Sequence, residues 1–532
     1  MSKPVGRPDR RAVVRVFVLA FAIYAYFMPR WADWNIDSRL DLAHAIVDKQ
    51  TLRIDAYNQN TWDKAVYQGH YYSDKAPGTA FLGAIVYAGY RLAHVTPGVG
   101  GAIDALERNS AWNPAIQLGK LDTQSQPAAK GRVLGGCQGG SNVMVIPWGN
   151  RLVPPFRDWA LSKYVITIGA VAFPCAIFIA FFFWFLGFFT RRRVVRWAAT
   201  ALLGAGTAFL PYATVLYSHA LVAGALFVAF GLLYLYSRGR IRGWAAPVAG
   251  LVLGLAFFTE YTVALVIIVV GLYGLWTLRR SRAGIVGFAV AAALPVIGLF
   301  AYNFAAFGSP LDTGYSHDFC WSAAQGAGFA GFTYPKLGPL WDLTLGTYRG
   351  LFFGAPFLLL AAPGAYVMWR RGMGLEAAVC LSCSLLIILA ISAYWGWNGG
   401  SVDGPRYLVP IVPFLAFPAA LFLDRALPNV WVTSVAVVLG AWSIVFTWIL
   451  FLGGELFPIS WLRNPLTEYS IPQLTGNHIP PNAGFFFGLT GWESLLPLLA
   501  LIGLIVVFRA PRTLALVHNI PRLRPAEHAE VS

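Results

Sequence analysis

Long apolar stretches recur along the chain and are separated by short polar turns. Residues 165–189, 199–217, 220–236 and 430–452 are examples, and each is close to or above the roughly 20 apolar residues with which an α-helix crosses a bilayer. The pattern predicts an all-α polytopic membrane protein with about 12 transmembrane helices. The predicted spans are 12–29, 161–189, 197–217, 219–236, 244–259, 261–278, 284–305, 350–370, 374–394, 406–422, 430–452 and 492–509.

Composition supports a lipid environment. Of the 532 residues, 57% are hydrophobic and only 12% are charged, whereas a soluble domain carries about 25% charged residues. The formal net charge of +16 does not indicate a nucleic-acid partner, because the basic residues lie in short clusters between apolar runs rather than on one soluble face. The clusters are Arg191, Arg192, Arg193 and Arg196; Arg238, Arg240 and Arg242; Arg279, Arg280 and Arg282; and Arg370 with Arg371.

These arginine clusters set the predicted orientation, because cytoplasmic loops of membrane proteins are enriched in Lys and Arg. All the clusters become cytoplasmic only if residues 78–94 lie on the outer membrane surface instead of crossing it, and this segment is short for a crossing. The predicted organisation is a cytoplasmic N-terminus 1–11, a first transmembrane helix 12–29, an extracytoplasmic loop 30–160 with juxtamembrane helices, a helical core 161–509 and a cytoplasmic tail 510–532. Outer loops within the core are predicted at 307–349, 395–405 and 453–491.

Acidic residues are distributed asymmetrically on this topology. Most of the 24 Asp and Glu residues fall on the outer side, although acidic residues contribute little to membrane insertion. A polar reaction site on that side and a well-solvated loop both explain the excess. The five cysteines indicate no disulfide framework, and the Cys380-x-x-Cys383 pair lies in an apolar run, where packing is the expected role.

The start of the large outer loop contains the first candidate for chemistry. Residues 39–49 place Leu40, Ala43 and Val47 on one face at helical spacing, which predicts a surface helix with Asp37 or Ser38 as its N-cap. Free backbone N–H groups and the helix dipole favour an ionised carboxylate there. Asp37 is therefore a candidate general base for a sugar hydroxyl; the alternative is a cap without catalytic function.

Further along the loop, Lys75 stands in a compact turn just before the apolar segment 78–94. Pro77 and Gly78 predict a turn followed by a helix start. Lys75 would then stand where an ammonium can meet a phosphate at headgroup level. The alternative is an interfacial anchor whose ammonium reaches toward water.

Other candidates lie at the outer ends of later spans. Glu260 is at the tip of a tight hairpin between apolar runs, where an ionisable residue must be wet or paired, and His219 opens a span. The segment from Trp395 to Tyr407 combines glycines, tryptophans and an arginine suited to a phosphate; the alternative is an aromatic belt closed by an ion pair between its acid and its arginine. The phosphate-binding candidates are Lys75, Arg406 and Arg349, and the sugar- or acceptor-binding candidates are Glu260, Tyr261, His219, Tyr72, Asp403 and Trp397.

An acid just beyond the first span, a surface helix, and then Tyr-Tyr-Ser-Asp-Lys-Ala-Pro-Gly at 71–78 resemble the first outer loop of the C-type membrane glycosyltransferases. The nearest groups are the protein O-mannosyltransferases and the aminoarabinose transferases that modify lipid A. Arg-Tyr-Leu-Val-Pro-Ile-Val-Pro-Phe at 406–414 resembles a late-span signature of the family. The resemblance implies that Asp37 activates or orients the acceptor and that Lys75 contacts the carrier phosphate.

Two positions depart from the family pattern. Tyr217-Ser218-His219 stands where members tend to have an acid between the third and fourth spans, and Thr259-Glu260-Tyr261 stands where many have Thr-Lys-Gly. Both departures bear on donor recognition and on any divalent metal, for which no diagnostic ligand spacing is present.

The predicted function is transfer of a sugar from a polyprenyl-phosphate carrier to an acceptor hydroxyl, by a single inverting displacement on the extracytoplasmic face of a bacterial plasma membrane. The acceptor is a glycan, a lipid or a protein. The alternatives are a lipid-linked sugar transporter or flippase, for which inverted repeats would be typical, and a polysaccharide polymerase or ligase.

Overall fold

The computed structural model describes residues 9–28, 33–58, 61–108, 154–400, 402–453 and 462–507. The predicted cytoplasmic tail 510–532, most of the N-terminus 1–11 and residues 109–153 of the large loop lie outside the described residues. Helices dominate the described part. They begin with α1 (Arg10–Tyr26), α2 (Trp34–Asp48), α3 (Gly78–His94), α4 (Val99–Arg108), α5 (Pro154–Thr167) and α6 (Phe173–Leu186).

The remaining helices form the rest of the core and its loops. They are α7 (Arg193–Ala205), α8 (Phe209–Tyr212), α9 (His219–Ser237), α10 (Ala245–Thr259), α11 (Ala264–Leu278), α12 (Arg282–Phe307), α13 (Ser322–Gln325), α14 (Leu337–Thr344), α15 (Leu351–Gly354), α16 (Ala361–Arg370), α17 (Gly374–Ala393), α18 (Val412–Ala426), α19 (Val430–Gly453), α20 (Ile471–Thr475) and α21 (Leu496–Val507). The two strands are β1 (Lys64–Tyr67) and β2 (His70–Ser73).

The prediction of a helical, multi-pass membrane protein is confirmed at the level of class. Within the described ranges, seven helical segments are long and apolar enough to cross a bilayer. These segments are Ala160–Leu186, His219–Ser237, Tyr261–Leu278, Arg282–Phe307, Gly374–Ala393, Arg406–Ala426 and Val430–Gly453. Other predicted spans are shorter or broken: α10 has 15 residues, and Gly206 ends α7 before the short α8 begins.

Small residues allow two core helices to approach each other closely. Gly250 and Gly254 of α10 lie against the backbone of α12, where a Cβ atom on either glycine would collide with the carbonyl oxygen of Phe288 or of Ala292. Small residues four apart bring membrane helices together in this way. The contact fixes α12, whose C-terminal end at Phe307 packs under the hairpin of the large loop.

Successive core helices run in opposite directions, so the charged residues at their ends form two groups. α9 begins at His219 and ends before Arg238; α10 then returns to Glu260. α11 leads away again to Arg279, and α12 comes back to Phe307. We call the end with Arg238 and Arg279 the arginine end, and the end with His219, Glu260 and Phe307 the site end.

The large loop contains the helix that the sequence predicts at 78–94 and a hairpin that it does not predict. α3 begins directly after Pro77 and covers residues 78–94 as expected, with Gly83 and Tyr87 buried and the side chains of Ile85 and Leu92 exposed by 72% and 69%. β1 and β2 pair antiparallel. Gln68 and Gly69 both have positive φ, as two-residue hairpin turns of type I′ require.

One disulfide is present, although the sequence indicates no disulfide framework. Cys320 is disulfide-bonded, whereas Cys175, Cys380 and Cys383 are buried free thiols. The C-x-x-C pair is therefore packed in the core, as expected. The bond at Cys320 was missed because cysteine spacing alone does not show which distant segments meet.

Candidate active site

The first turn of α2 positions two carboxylates at the site end. Asp33 is the N-cap: its side chain accepts hydrogen bonds from the backbone N–H groups of Asn35 and Ile36. The prediction of Asp37 or Ser38 as N-cap was wrong, because Asp33 starts the helix one turn earlier. Asp37 instead lies inside the first turn with its side chain fully buried.

Asp37 forms a buried ion pair with Lys163 of α5. The Lys163 Nζ lies 2.9 Å from Asp37 Oδ1, and both side chains are less than 10% exposed. The backbone N–H of Asp33 donates to Asp37 Oδ2 at 3.2 Å. Burial raises the pKa of Asp37 to about 7, although Lys163 opposes the shift. The expectation of a strongly ionised carboxylate is thus replaced by a group that exchanges its proton near neutral pH.

Lys75 is held by two carboxylates. Its Nζ lies 2.8 Å from Asp63 Oδ2 and 2.6 Å from Asp74 Oδ2, and it stands 5.6 Å from the ring centre of Tyr315. Burial opposes the charge on Lys75, but the two carboxylates outweigh it and raise the pKa of the ammonium. Lys75 therefore stays protonated, with two carboxylates as its counter-ions.

Serine hydroxyls connect this ion pair to α2. Ser38 Oγ donates to Asp74 Oδ1 at 3.1 Å and lies 2.8 Å from Ser73 Oγ at the end of β2. The hairpin register delivers Ser73, and then Asp74 and Lys75, to the first turn of α2. Asp37 and Lys75 consequently belong to the same layer of polar side chains.

Glu260 is the acidic residue that the core helices contribute to the site. It caps the turn after α10, as its hairpin position predicted, and only 5% of the residue is exposed. Ser218 Oγ donates to Glu260 Oε2 at 2.5 Å, and His219 Nδ1 lies 3.5 Å away. Burial alone would raise the pKa of Glu260, but His219 and the hydrogen bond from Ser218 hold it below its usual value. Glu260 is therefore an ionised acceptor.

Tyr217 joins these groups to Arg406. Its hydroxyl donates to Asp33 at 3.0 Å, and its ring centre lies 5.6 Å from the guanidinium of Arg406 and 5.8 Å from that of Arg39. The Arg406 Nη2 donates to the hydroxyl of Tyr407 at 2.6 Å. Arg406 thus lies in the same polar cluster as Glu260 and His219.

The four other candidate residues, Arg349, Asp403, Trp397 and Tyr72, have different partners. Arg349 is buried and donates to the carbonyl oxygens of Gly400 and Gly404. With Asp403 it lines a pocket between the outer loops. Trp397 packs against Tyr348. Tyr72 lies in an apolar cluster with Phe307.

Tyr261 occupies the edge of the site. Its ring centre is 5.9 Å from that of Tyr315, the residue that also faces Lys75.

The partners of the predicted site residues were not predicted from the sequence, although two of these partners carried a signal. Lys163 interrupts an apolar run, and Arg39 lies on the predicted outer side; both features mark a charge that needs a partner.

A metal centre finds no support in this arrangement. Across the described ranges, no group of three or more His, Cys, Asp or Glu side chains is positioned to hold a metal ion. Asp63 and Asp74 both contact one cation, and that cation is the ammonium of Lys75. The divalent metal considered from the sequence stays a prediction without a ligand set.

Comparisons with models of protein families, with curated proteins and with solved structures find no match to this chain. The class of protein is therefore defined by its fold and its site. It is a multi-pass helical membrane protein with buried lysine–carboxylate ion pairs at one end of its helices.

Proposed function

We propose that this protein is a membrane glycosyltransferase that moves a sugar from a polyprenyl-phosphate carrier to an acceptor hydroxyl. The observation that carries the proposal is the buried Asp37 and Lys163 pair in one polar cluster with Lys75, Glu260 and Arg406. A proton acceptor that titrates near pH 7 beside cations for an anionic leaving group is what this transfer needs.

The reaction is a single displacement at the anomeric carbon. Asp37 takes the proton of the acceptor hydroxyl as the oxygen forms its bond to that carbon. The bond from the carbon to the carrier phosphate breaks, and its electron pair leaves with the phosphate. Because attack and departure occur on opposite faces of the sugar, the anomeric configuration inverts. Lys163 keeps Asp37 ionised for a larger fraction of the time.

Glu260 is the proposed ligand of the sugar. An ionised carboxylate accepts hydrogen bonds from sugar hydroxyls, and Ser218 and Thr262 already hold this one in position. His219 and Tyr261 flank it. The acceptor is a glycan, a lipid or a protein, because the described cluster contains no group that selects among them.

The proposed topology has about 12 crossings, both termini in the cytoplasm and the site end outside. Two features support it. The arginine clusters lie at the opposite end of the helices, as cytoplasmic loops require. Cys320 is disulfide-bonded, and disulfides persist in oxidising compartments outside the cytoplasm. Tyr315, five residues before it, faces Lys75.

A transfer assay tests the function and separates it from its alternatives. Purified protein is incubated with a panel of radiolabelled polyprenyl-phosphate sugars and a membrane extract. We expect label from one donor to enter an acceptor with the anomeric configuration inverted. A flippase would move donor between leaflets of a vesicle without breaking the sugar-phosphate bond. Intact donor across the whole panel, with folded protein, would refute the transferase.

A further inference from the structure

The first turn of α7 lies at the arginine end and begins without a side-chain cap. Its N-cap residue is Arg192, whose side chain accepts no hydrogen bond from the described helix, because arginine has donors only. The first backbone N–H groups of a helix have no partner inside the helix, and with the helix dipole they attract an anion. Phe189, just before this turn, packs on Tyr234 beside Arg238, which places the turn at the arginine end.

Arg196 lies one turn into α7 and is buried, with 7% of the residue exposed. Within the described ranges, its Nε and Nη2 atoms make no hydrogen bond. Buried polar groups are nearly always hydrogen-bonded, so these two donors indicate a missing acceptor. A long helical side chain points back toward the N-terminus of its helix. The guanidinium of Arg196 therefore lies on the side of the free N–H groups.

The residues around this guanidinium place it at the membrane surface. Phe183 of α6 packs against it, with 4.1 Å between the ring centre and the central carbon of Arg196. Such a contact attracts the cation but does not neutralise it. The ring of Trp197 lies 5.1 Å from that of Phe183, and tryptophan is typical of the headgroup layer. Val194 of the same turn is 62% exposed, an apolar side chain suited to contact with lipid.

The acids close to this turn already have partners. Asp9 accepts the first hydrogen bond of α1 and lies 3.8 Å from Nη2 of Arg193. Asp424 accepts from the hydroxyl of Thr190 and lies 3.1 Å from Nη2 of Arg371. The start of α7 thus keeps an excess of positive charge, which an anion from outside the chain would balance.

We propose that the first turn of α7, together with Arg196, binds the phosphate of an anionic phospholipid in the leaflet at the arginine end. Phosphate oxygens accept both from the free N–H groups of a helix end and from the planar donor group of arginine. Basic pockets between the ends of membrane helices bind lipid headgroups. The site lies at the opposite end of the helices from Asp37, so the inference goes beyond the proposed transferase and does not depend on it.

Lipid binding to the purified full-length protein tests the proposal, with native mass spectrometry as the measurement. Phosphatidylglycerol is the anionic probe, phosphatidylcholine is the zwitterionic probe with the same phosphodiester, and inorganic phosphate is the soluble probe. We expect phosphatidylglycerol to bind most tightly. Arg196→Gln should weaken its binding about 10- to 100-fold, as loss of a charged hydrogen bond does.

Two further variants distinguish a bound headgroup from a folding defect and from diffuse charge attraction. Arg192→Ser places a favourable N-cap at the start of α7, so the helix should stay folded while the serine hydroxyl occupies an N–H group that the phosphate needs. We expect it to weaken phosphatidylglycerol binding about tenfold, from the lost charge and the occupied N–H group. Arg242→Gln removes an exposed arginine of another cluster at the same end; it is the matched control and should bind normally.

Each outcome supports or overturns the site. Equal weakening by Arg192→Ser, Arg196→Gln and Arg242→Gln would show diffuse attraction and overturn it. Normal phosphatidylglycerol binding by folded Arg192→Ser or folded Arg196→Gln would overturn it as well; if Arg196→Gln does not fold, Arg192→Ser decides alone. Equal binding of phosphatidylcholine by the wild type would overturn the anionic headgroup. Displacement of phosphatidylglycerol by inorganic phosphate would overturn the assignment to a lipid.

Discussion

Replacing Asp37 by Asn is expected to lower the rate of sugar transfer by about 100- to 10,000-fold, the contribution typical of a general base. Asn has nearly the shape of Asp and keeps a hydrogen-bonding oxygen near Lys163, but it cannot take a proton. The loss should appear at every pH. Initial rates with the labelled donor identified by the panel provide the measurement.

Asp55→Asn is the matched control for this prediction. Asp55 is an exposed carboxylate of the same loop, hydrogen-bonded to His70 and to the backbone N–H of Tyr71, and its loss should leave the rate unchanged. A folded Asp37→Asn protein that transfers sugar near the wild-type rate would remove Asp37 from the mechanism.

Replacing Lys163 by Gln is expected to make activity dependent on high pH. In the wild type, the pKa of Asp37 is about 7, so kcat/KM should fall as the pH drops below that value. Lys163 lowers this pKa, and its removal must therefore raise it. Less Asp37 is then ionised at pH 7, by about tenfold for each unit of upward shift. Activity should be nearly lost at neutral pH and should recover as the pH rises.

Lys163→Arg supplies the control because it keeps the positive charge beside Asp37. The acidic side of its pH profile of kcat/KM should stay close to that of the wild type. The pH profile distinguishes this electrostatic role from a merely structural one. If Lys163→Gln lost activity equally at all pH values, or if its acid limb did not move, Lys163 would not tune the base.

Local sequence signals predicted much of what surrounds the site. Pro77 and Gly78 marked the start of α3 correctly, and the apolar run up to His94 gave its length. The hairpin position of Glu260 and the helix start at His219 were also confirmed. These features depend on turn chemistry and on the lengths of apolar runs, which are properties of neighbouring residues.

The pairings inside the site could not be predicted in the same way. Asp37 and Lys163 are 126 positions apart, and Tyr217 meets Asp33 across 184 positions. Such contacts depend on how helices pack, which hydrophobic patterning does not specify. The direction of the Asp37 pKa shift was missed for the same reason. The position of Asp37 in its helix suggested a lowered pKa, whereas burial by distant segments raises it.

The hairpin is a different case, because its signal was present in the sequence. Alternating side chains flank Gln68-Gly69 in Lys-Ala-Val-Tyr-Gln-Gly-His-Tyr-Tyr-Ser, a pattern typical of a two-residue turn. The hairpin was missed because the prediction considered only helices. Its register matters, because it brings Asp74 and Lys75 to the first turn of α2.

The most direct test of the account is the sidedness of the charged cluster. Asp55→Cys introduces a thiol on the exposed loop beside the site, and Arg240→Cys introduces one at the arginine end; the native free thiols are buried. Intact spheroplasts expressing each variant are treated with a membrane-impermeant maleimide. We expect labelling of Asp55→Cys in intact cells and of Arg240→Cys only after permeabilisation. The reverse pattern, or labelling of both in intact cells, would contradict an extracytoplasmic site.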